Sequence, residues 1–215
     1  MKISERGVLE VAEHEGIVPG PYRDSVGVWT WGVGHTAAAG GPNPAQMPRG
    51  MPADVDAAVL DALALFDEDL DKYEARVNKA VKVPLKQHQF DALVSFDFNT
   101  GGIFAAKLTQ ALNRGDMSGN GFMGWLKPKQ IIKRRKAEQA LFRTGNYDAN
   151  GDSIPIWRVD EHGRLRGILK TVSGAELQRL MRAAGSSRKV APANPSKPSL
   201  WAAIVAAIQS IFGRK

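Results

Sequence analysis

Residues 15–36 read EGIVPGPYRDSVGVWTWGVGHT, and the reading of the fold starts here. Upstream, residues 3–14 place Val8, Val11 and Ala12 on one helical face, and Gly16 stops that pattern, so Glu15 closes a helix. Downstream, Tyr22 to Val33 alternates imperfectly around Asp24-Ser25-Val26-Gly27. That pattern predicts a β-hairpin in which Gly27 takes a positive φ. Thr30 falls on the returning strand, between Trp29 and Trp31.

Beyond the hairpin, residues 37–53 hold too much Gly and Pro for regular structure and form a long loop. Then Val55, Val59, Leu63, Phe66, Leu70, Tyr73 and Val77 repeat at steps of three and four, a continuous apolar stripe on one long helix. A helix of that length joins a small N-terminal lobe to a larger, helical one. Lys86–Phe98 resumes a helical pattern, the Gly101-Gly102 pair breaks it, and Phe104–Leu112 is a short helix. Gly115–Gly124 reads as a loop and 130–142 as a helix. Ile154–Ile168 reads as a second hairpin around Asp160-Glu161-His162-Gly163, and Gly174–Ala184 as the last helix. The expected fold class is therefore α+β, mainly α. The expected division is a folded domain over 1–185, a Pro/Ser/Lys linker over 186–199, and a cationic amphipathic helix over 200–215.

Composition narrows the function classes. The chain has 215 residues, 43% hydrophobic, with no cysteine, so it needs no disulfides and holds no thiolate-bound metal. No apolar run is long enough for a transmembrane helix, and the charged start MKISERGVLEVAEHEG lacks a signal-peptide core. Synthesis in the cytoplasm without a signal peptide is expected. Of the net charge of +7, the residues Arg188, Lys189, Lys197, Arg214 and Lys215 supply five with no acid among them from Ser186 on. An anionic surface is the expected partner of that tail. Leu200, Trp201, Ile204, Val205, Ile208, Ile211 and Phe212 share one face of 199–212, ahead of Arg214-Lys215. That segment is too short to span a bilayer but suited to lie in its interface. An anionic membrane or lipopolysaccharide is one reading of this tail, and docking on the folded domain or self-association is the other. Six basic residues between Lys127 and Lys136 lack interleaved stacking aromatics, so no nucleic acid is expected. Asp148-x-Asn150-x-Asp152 departs from a calcium loop at Ser153 and Val159, so no metal and no cofactor is expected.

The chemistry rests on the pattern E-x8-D-x5-T. Cleaving a glycosidic bond requires a proton donor for the leaving oxygen and a second group that directs water or traps the cation. A carboxyl ending a helix with an apolar inner face suits donation. A carboxyl in a solvated turn suits the ionised role. The same spacing also arises by chance, and a Glu ending a helix is commonly just solvated. Spacing alone does not choose.

Larger blocks do. Glu15-x8-Asp24-x5-Thr30 followed by Gly32-x-Gly34-His35-Thr36 resembles the active-site hairpin of the phage-type lysozymes, the glycoside hydrolase family 24 muramidases and endolysins. Gln89-Phe90-Asp91-Ala92-Leu93-Val94-Ser95-Phe96 with Phe98-Asn99-x-Gly101 continues the likeness. So does Arg134-Arg135-x-x-Glu138-x-x-Leu141-Phe142-Arg143-Thr144-Gly145. The resemblance covers roughly residues 3–148 and implies a two-lobed lysozyme-like fold. Its implied substrate is peptidoglycan, cleaved at the β-1,4 bond from N-acetylmuramic acid to N-acetylglucosamine. By the same resemblance Glu15 donates the proton while Asp24 and Thr30 position water, which implies inversion, with Asp24 as a nucleophile the variant reading. Arg134 would lie near that Glu, or else belong to a solvated basic face. Asn99 would bond sugar acetamide or cleft backbone, or serve only as loop support, and Gly34 belongs to the supporting turn. His35 reads as structural, paired with an acid of the long helix, for which Asp69 is the candidate. The protein would act as a monomer and reach the wall through a holin-type lesion. A catalytically silent wall-binding module and a lytic transglycosylase are the competing functions. Retention of Glu15, Asp24 and Thr30 together disfavours the first, and the presence of Asp24 disfavours the second.

Overall fold

The computed structural model describes residues 1–148 and 153–185. The linker 186–199 and the tail residues Trp201, Ile204, Ile208, Phe212, Arg214 and Lys215 lie outside the described residues. The chain is α+β and mainly helical, and it divides into two compact units. One takes Met1–His14 with 69–148, the other Glu15–Glu68 with 153–185.

The first unit is helical. Helix α1, Glu5–Glu15, starts where the Ser4 hydroxyl accepts the Gly7 amide at 3.1 Å. Asp91 in turn accepts the Ser4 amide at 3.0 Å and the Tyr147 hydroxyl at 2.6 Å, fixing the chain start. Helix α2, Val55–Ala80, runs 26 residues and supplies side chains to both units, as its unbroken stripe predicts. Helix α3, Gln87–Thr100, is buried from Phe90 through Phe98, which follows from apolar residues on nearly every face. It ends on Gly101 at φ 61°, a left-handed cap. Helices α4, Lys107–Asn113, and α5, Ile132–Thr144, complete this unit, with α5 packed on α3. Phe96 meets Phe122 and Trp125 edge-on at 5.6 and 5.4 Å, and Phe122 meets Phe142 at 5.7 Å. The Gly115–Gly124 stretch is less irregular than expected, because Asn120–Gly124 winds one tight 3-10 turn that carries Phe122 into this cluster.

The second unit holds both sheets. Strands β1 (Val18–Arg23), β2 (Trp29–Gly32) and β3 (His35–Thr36) form an antiparallel sheet in that order. The expected hairpin is β1–β2. The third strand is an addition, formed as Gly32 and Gly34 turn the chain at φ 65° and 73° so that Trp31 pairs with His35. Strands β4 (Ile154–Val159) and β5 (Leu165–Val172) make the second hairpin, longer than the sequence pattern suggests. Helix α6, Gly174–Ala183, begins on a capping box of Ser173 with Glu176 and buries Leu177, Leu180 and Met181. In the 37–53 loop, Ala37–Ala39 and Pro44–Gln46 are single 3-10 turns, the second capped by Asn43 accepting the Ala45 amide. No helix of the described residues is long and apolar enough to cross a membrane.

Candidate active site

All three residues of the E-x8-D-x5-T pattern belong to the second unit. Glu15 is the last residue of α1 and is half-buried. Gly16 follows at φ 70°, a conformation that L side chains rarely adopt, and turns the chain from helix into strand. A Cβ at Gly16 would lie 2.6 Å from the Trp157 Nε1, so the indole edge sits directly against this turn.

Asp24 is built into the β1–β2 turn by its own side chain. Its Oδ1 accepts the amides of Val26 at 2.9 Å and Val28 at 2.8 Å. Its amide donates to the Val28 carbonyl at 3.0 Å, and the Gly27 amide donates to the Asp24 carbonyl at 3.0 Å. Gly27 takes the positive φ expected of it, 85°. Thr30 is buried, and its hydroxyl donates to the Val28 carbonyl at 3.2 Å. Asp24 and Thr30 therefore both grip the main chain of Val28. The Thr30 proton being committed there, the Oγ1 lone pairs are left as acceptors.

Tyr22 links these groups and was not singled out in the sequence. It pairs with Thr30 across β1 and β2, so the two side chains leave the same face of the sheet. Burial pushes its phenol well above the ordinary tyrosine range, and the negative charges of Glu15 and Asp24 push it further. Both carboxylates thus oppose ionisation of this half-buried tyrosine, which stays a neutral donor. The hairpin register, Tyr22 facing Thr30, is the signal that could have found it.

The flanking tryptophans separate. Trp31 is core, its indole donating to the Pro19 carbonyl at 2.9 Å. Trp29 is covered by guanidinium groups: Arg49 lies 3.6 Å and Arg23 4.5 Å from the ring centroid. That packing leaves sugar stacking by Trp29 without support.

The supporting residues are placed as follows. His35 is buried, and its Nε2 donates to the Pro42 carbonyl at 3.0 Å. Asp69 is buried on α2 and forms an ion pair with Lys72 at 2.9 Å. Gly34 occupies the β2–β3 turn. Arg134 belongs to the helical unit, where its Nε donates to Glu138 at 3.0 Å and its Nη2 to the Ser95 hydroxyl at 3.3 Å. The reading of Arg134 as part of a solvated basic face does not survive its burial. Asn99 accepts from Arg135 Nη2 at 2.8 Å, a structural bond.

The sequence model of the phage lysozyme family matches residues 12–138, a span that holds Glu15, Asp24 and Thr30. The chain belongs to that family. It is 34% identical over 157 residues to an endolysin of Acyrthosiphon pisum secondary endosymbiont phage 1, covering 67% of this chain and 99% of that protein. The endolysin of Salmonella phage P22 is 35% identical over 150 residues, with 66% and 98% covered. Among solved structures, the endolysin from Escherichia coli O157:H7 phage FAHEc1 aligns with a TM-score of 0.56 at 29% identity, over 68% of this chain and 96% of that one. The muramidase domain of SpmX from Asticaccaulis excentricus aligns at 0.51 and 30% identity, over 66% and 98%. As a phage lysozyme the chain is a peptidoglycan-lytic hydrolase. The family match stops at residue 138, so β4, β5 and α6 lie beyond it.

Proposed function

We propose that this phage lysozyme is an endolysin that hydrolyses the β-1,4 bond between N-acetylmuramic acid and N-acetylglucosamine, with inversion at the anomeric carbon. The observation that carries this reading is the joint hold of Asp24 and Thr30 on Val28, in a hairpin that also brings Tyr22 under the charges of Glu15 and Asp24. Glu15 gives its proton to the departing glycosidic oxygen. A water bonded to Thr30 Oγ1 and to Asp24 then attacks the anomeric carbon from the other face. Its hydroxide adds to the sugar and its second proton passes to Asp24. Because two amides fix Oδ1, the carboxylate cannot swing away from that water.

Mass spectrometry of fragments released from purified sacculi tests this. Reducing muramic ends are expected from the wild type and none from Glu15→Gln. Anhydro-muramic ends would mean a transglycosylase, and no release a silent binding module. The cationic tail over 200–215, outside the described residues, is read as an element that holds the enzyme on anionic membrane or lipopolysaccharide. Deleting 186–215 should then abolish sedimentation with anionic vesicles, and unchanged sedimentation would refute it.

A further inference from the structure

Resting on the reading of Glu15 and Asp24 above, the inference concerns what sets the span between them. Eight residues, Gly16 to Arg23, separate the two carboxyls, and most of them are strand β1. On its β2 side this strand is held poorly in the middle. Pro19 and Pro21 have no amide to give, and pairing jumps from Val18 opposite Gly32 to Tyr22 opposite Thr30 through a register shift. One indole bond, Trp31 to the Pro19 carbonyl, bridges that gap.

The other side of β1 is fastened at both ends by the second hairpin. Near Glu15, the Ile17 amide donates to the Pro155 carbonyl at 2.8 Å and the Trp157 amide to the Ile17 carbonyl at 2.8 Å. These bonds make a parallel bridge from Ile17 to Ile156. Beside Asp24, the Arg23 amide donates to the Gly163 carbonyl at 2.7 Å. Side chains repeat the pattern. The Trp157 indole packs on Gly16, and Gly163, at φ 75°, lies so close to the Trp29 ring that a Cβ there would overlap it. Between the two fastenings Gly20 is wedged against the Gly50 carbonyl and Val159, with no room for a side chain. The hairpin turn is itself rigid: Asp160 accepts the amides of His162 and Arg164 at 2.9 Å and pairs with Arg164 and Arg166.

We propose that the β4–β5 hairpin, which lies beyond the family match, is a splint that fixes the Glu15–Asp24 span, with Trp157 and Gly163 as its positioning residues. It clamps the strand one residue past the Glu15 turn and one residue before Asp24. Neither residue touches the reacting bond. Their effect comes through the placing of two groups whose separation must admit one water and one sugar face.

The test compares Trp157→Ala, Trp157→Phe and Gly163→Ala in the full chain, assayed on a soluble peptidoglycan oligomer well below each variant's unfolding midpoint. Misplacement of reacting groups by about 1 Å costs up to about a hundredfold in rate. Trp157→Ala should therefore lower kcat by about 10- to 100-fold with KM nearly unchanged, and Trp157→Phe should restore most of it. Gly163→Ala should lower kcat in the same way from the other end. Should Trp157→Ala not fold, Trp157→Leu serves in its place. A folded variant with a lowered unfolding midpoint but wild-type kcat would overturn the splint and leave only a structural role. Glu15→Gln is assayed alongside. If it retains activity, the catalytic reading itself fails. If it is inactive while Trp157→Ala and Gly163→Ala keep full kcat, the splint alone fails.

Discussion

Asp24→Asn separates what the turn needs from what the chemistry needs. The asparagine carbonyl occupies the place of Oδ1 and can still accept the amides of Val26 and Val28, so the turn keeps both bonds and loses only the charge. Asp24 is half-exposed, and removing a solvated charge from these bonds costs less than about 1 kcal/mol. Asp24→Ala removes both bonds, for about 2 kcal/mol in total. In a chain of this size that lowers the unfolding midpoint by about 6 °C. Activity should not follow stability. A general base supplies about 10²- to 10⁴-fold, so Asp24→Asn should lose that factor at nearly native stability. Asp24→Ala should be no less impaired and also less stable. Turbidity clearing of purified sacculi gives the rate and calorimetry gives the midpoint. If Asp24→Asn stays within about threefold of wild type, below the smallest contribution of a general base, the carboxylate is only a turn former and the water-positioning argument is wrong.

Two further outcomes follow from buried and turn-bound charge. Glu138 is fully buried between Arg134 at 3.0 Å, Arg135 at 2.8 Å and the Ser95 hydroxyl at 2.9 Å. Glu138→Ala strands two guanidinium groups and should cost about 3–5 kcal/mol in denaturant unfolding; a loss under about 1 kcal/mol would show the cations are resolvated. The Asp160 carboxyl is held below the usual range, chiefly by the Arg164 amide, then by the Arg166 and Arg164 side chains and the His162 amide. A depressed folded pKa means that its contribution is complete above the unfolded value near pH ~4 and is lost as pH falls through the folded value beneath it. Amide protection factors at His162 and Arg164 should hold steady from neutrality to about pH 4 and then fall. Protection that stays flat to pH ~2, or a fall already complete above pH ~4, would contradict this.

Much of this was legible because the relevant signals are local and periodic. The stripe from Val55 to Val77 predicts α2, and the apolar density of Phe90–Phe98 predicts a buried α3. Asp24-Ser25-Val26-Gly27 predicts its own turn, since the aspartate that starts it also bonds it shut. Strand β3 escaped notice because two residues, His35–Thr36, are too few to show alternation. The bonds of Arg134 to Glu138 were within reach, since residues four apart share a helix face. Trp29 illustrates the other limit. Its guanidinium cover comes from Arg23, its neighbour across the hairpin, and from Arg49 in an irregular loop whose path no periodicity sets.

The same distinction explains why the second hairpin is legible as a hairpin while its fastening to β1 is not. Its strands announce themselves, but its bonds to Ile17 and Arg23 are pairings between segments more than a hundred residues apart, for which one sequence carries no register. What the sequence does show is the need. Two prolines in β1 stiffen the strand by fixing φ at Pro19 and Pro21, and they remove two amides that a ladder would use. A stiff strand without a continuous ladder keeps its shape but can tilt as a body. Tilting a rod is resisted best by fastening its ends. The bonds at Ile17 and Arg23 are at those ends, and the residues just outside them are the Glu15–Gly16 turn and Asp24.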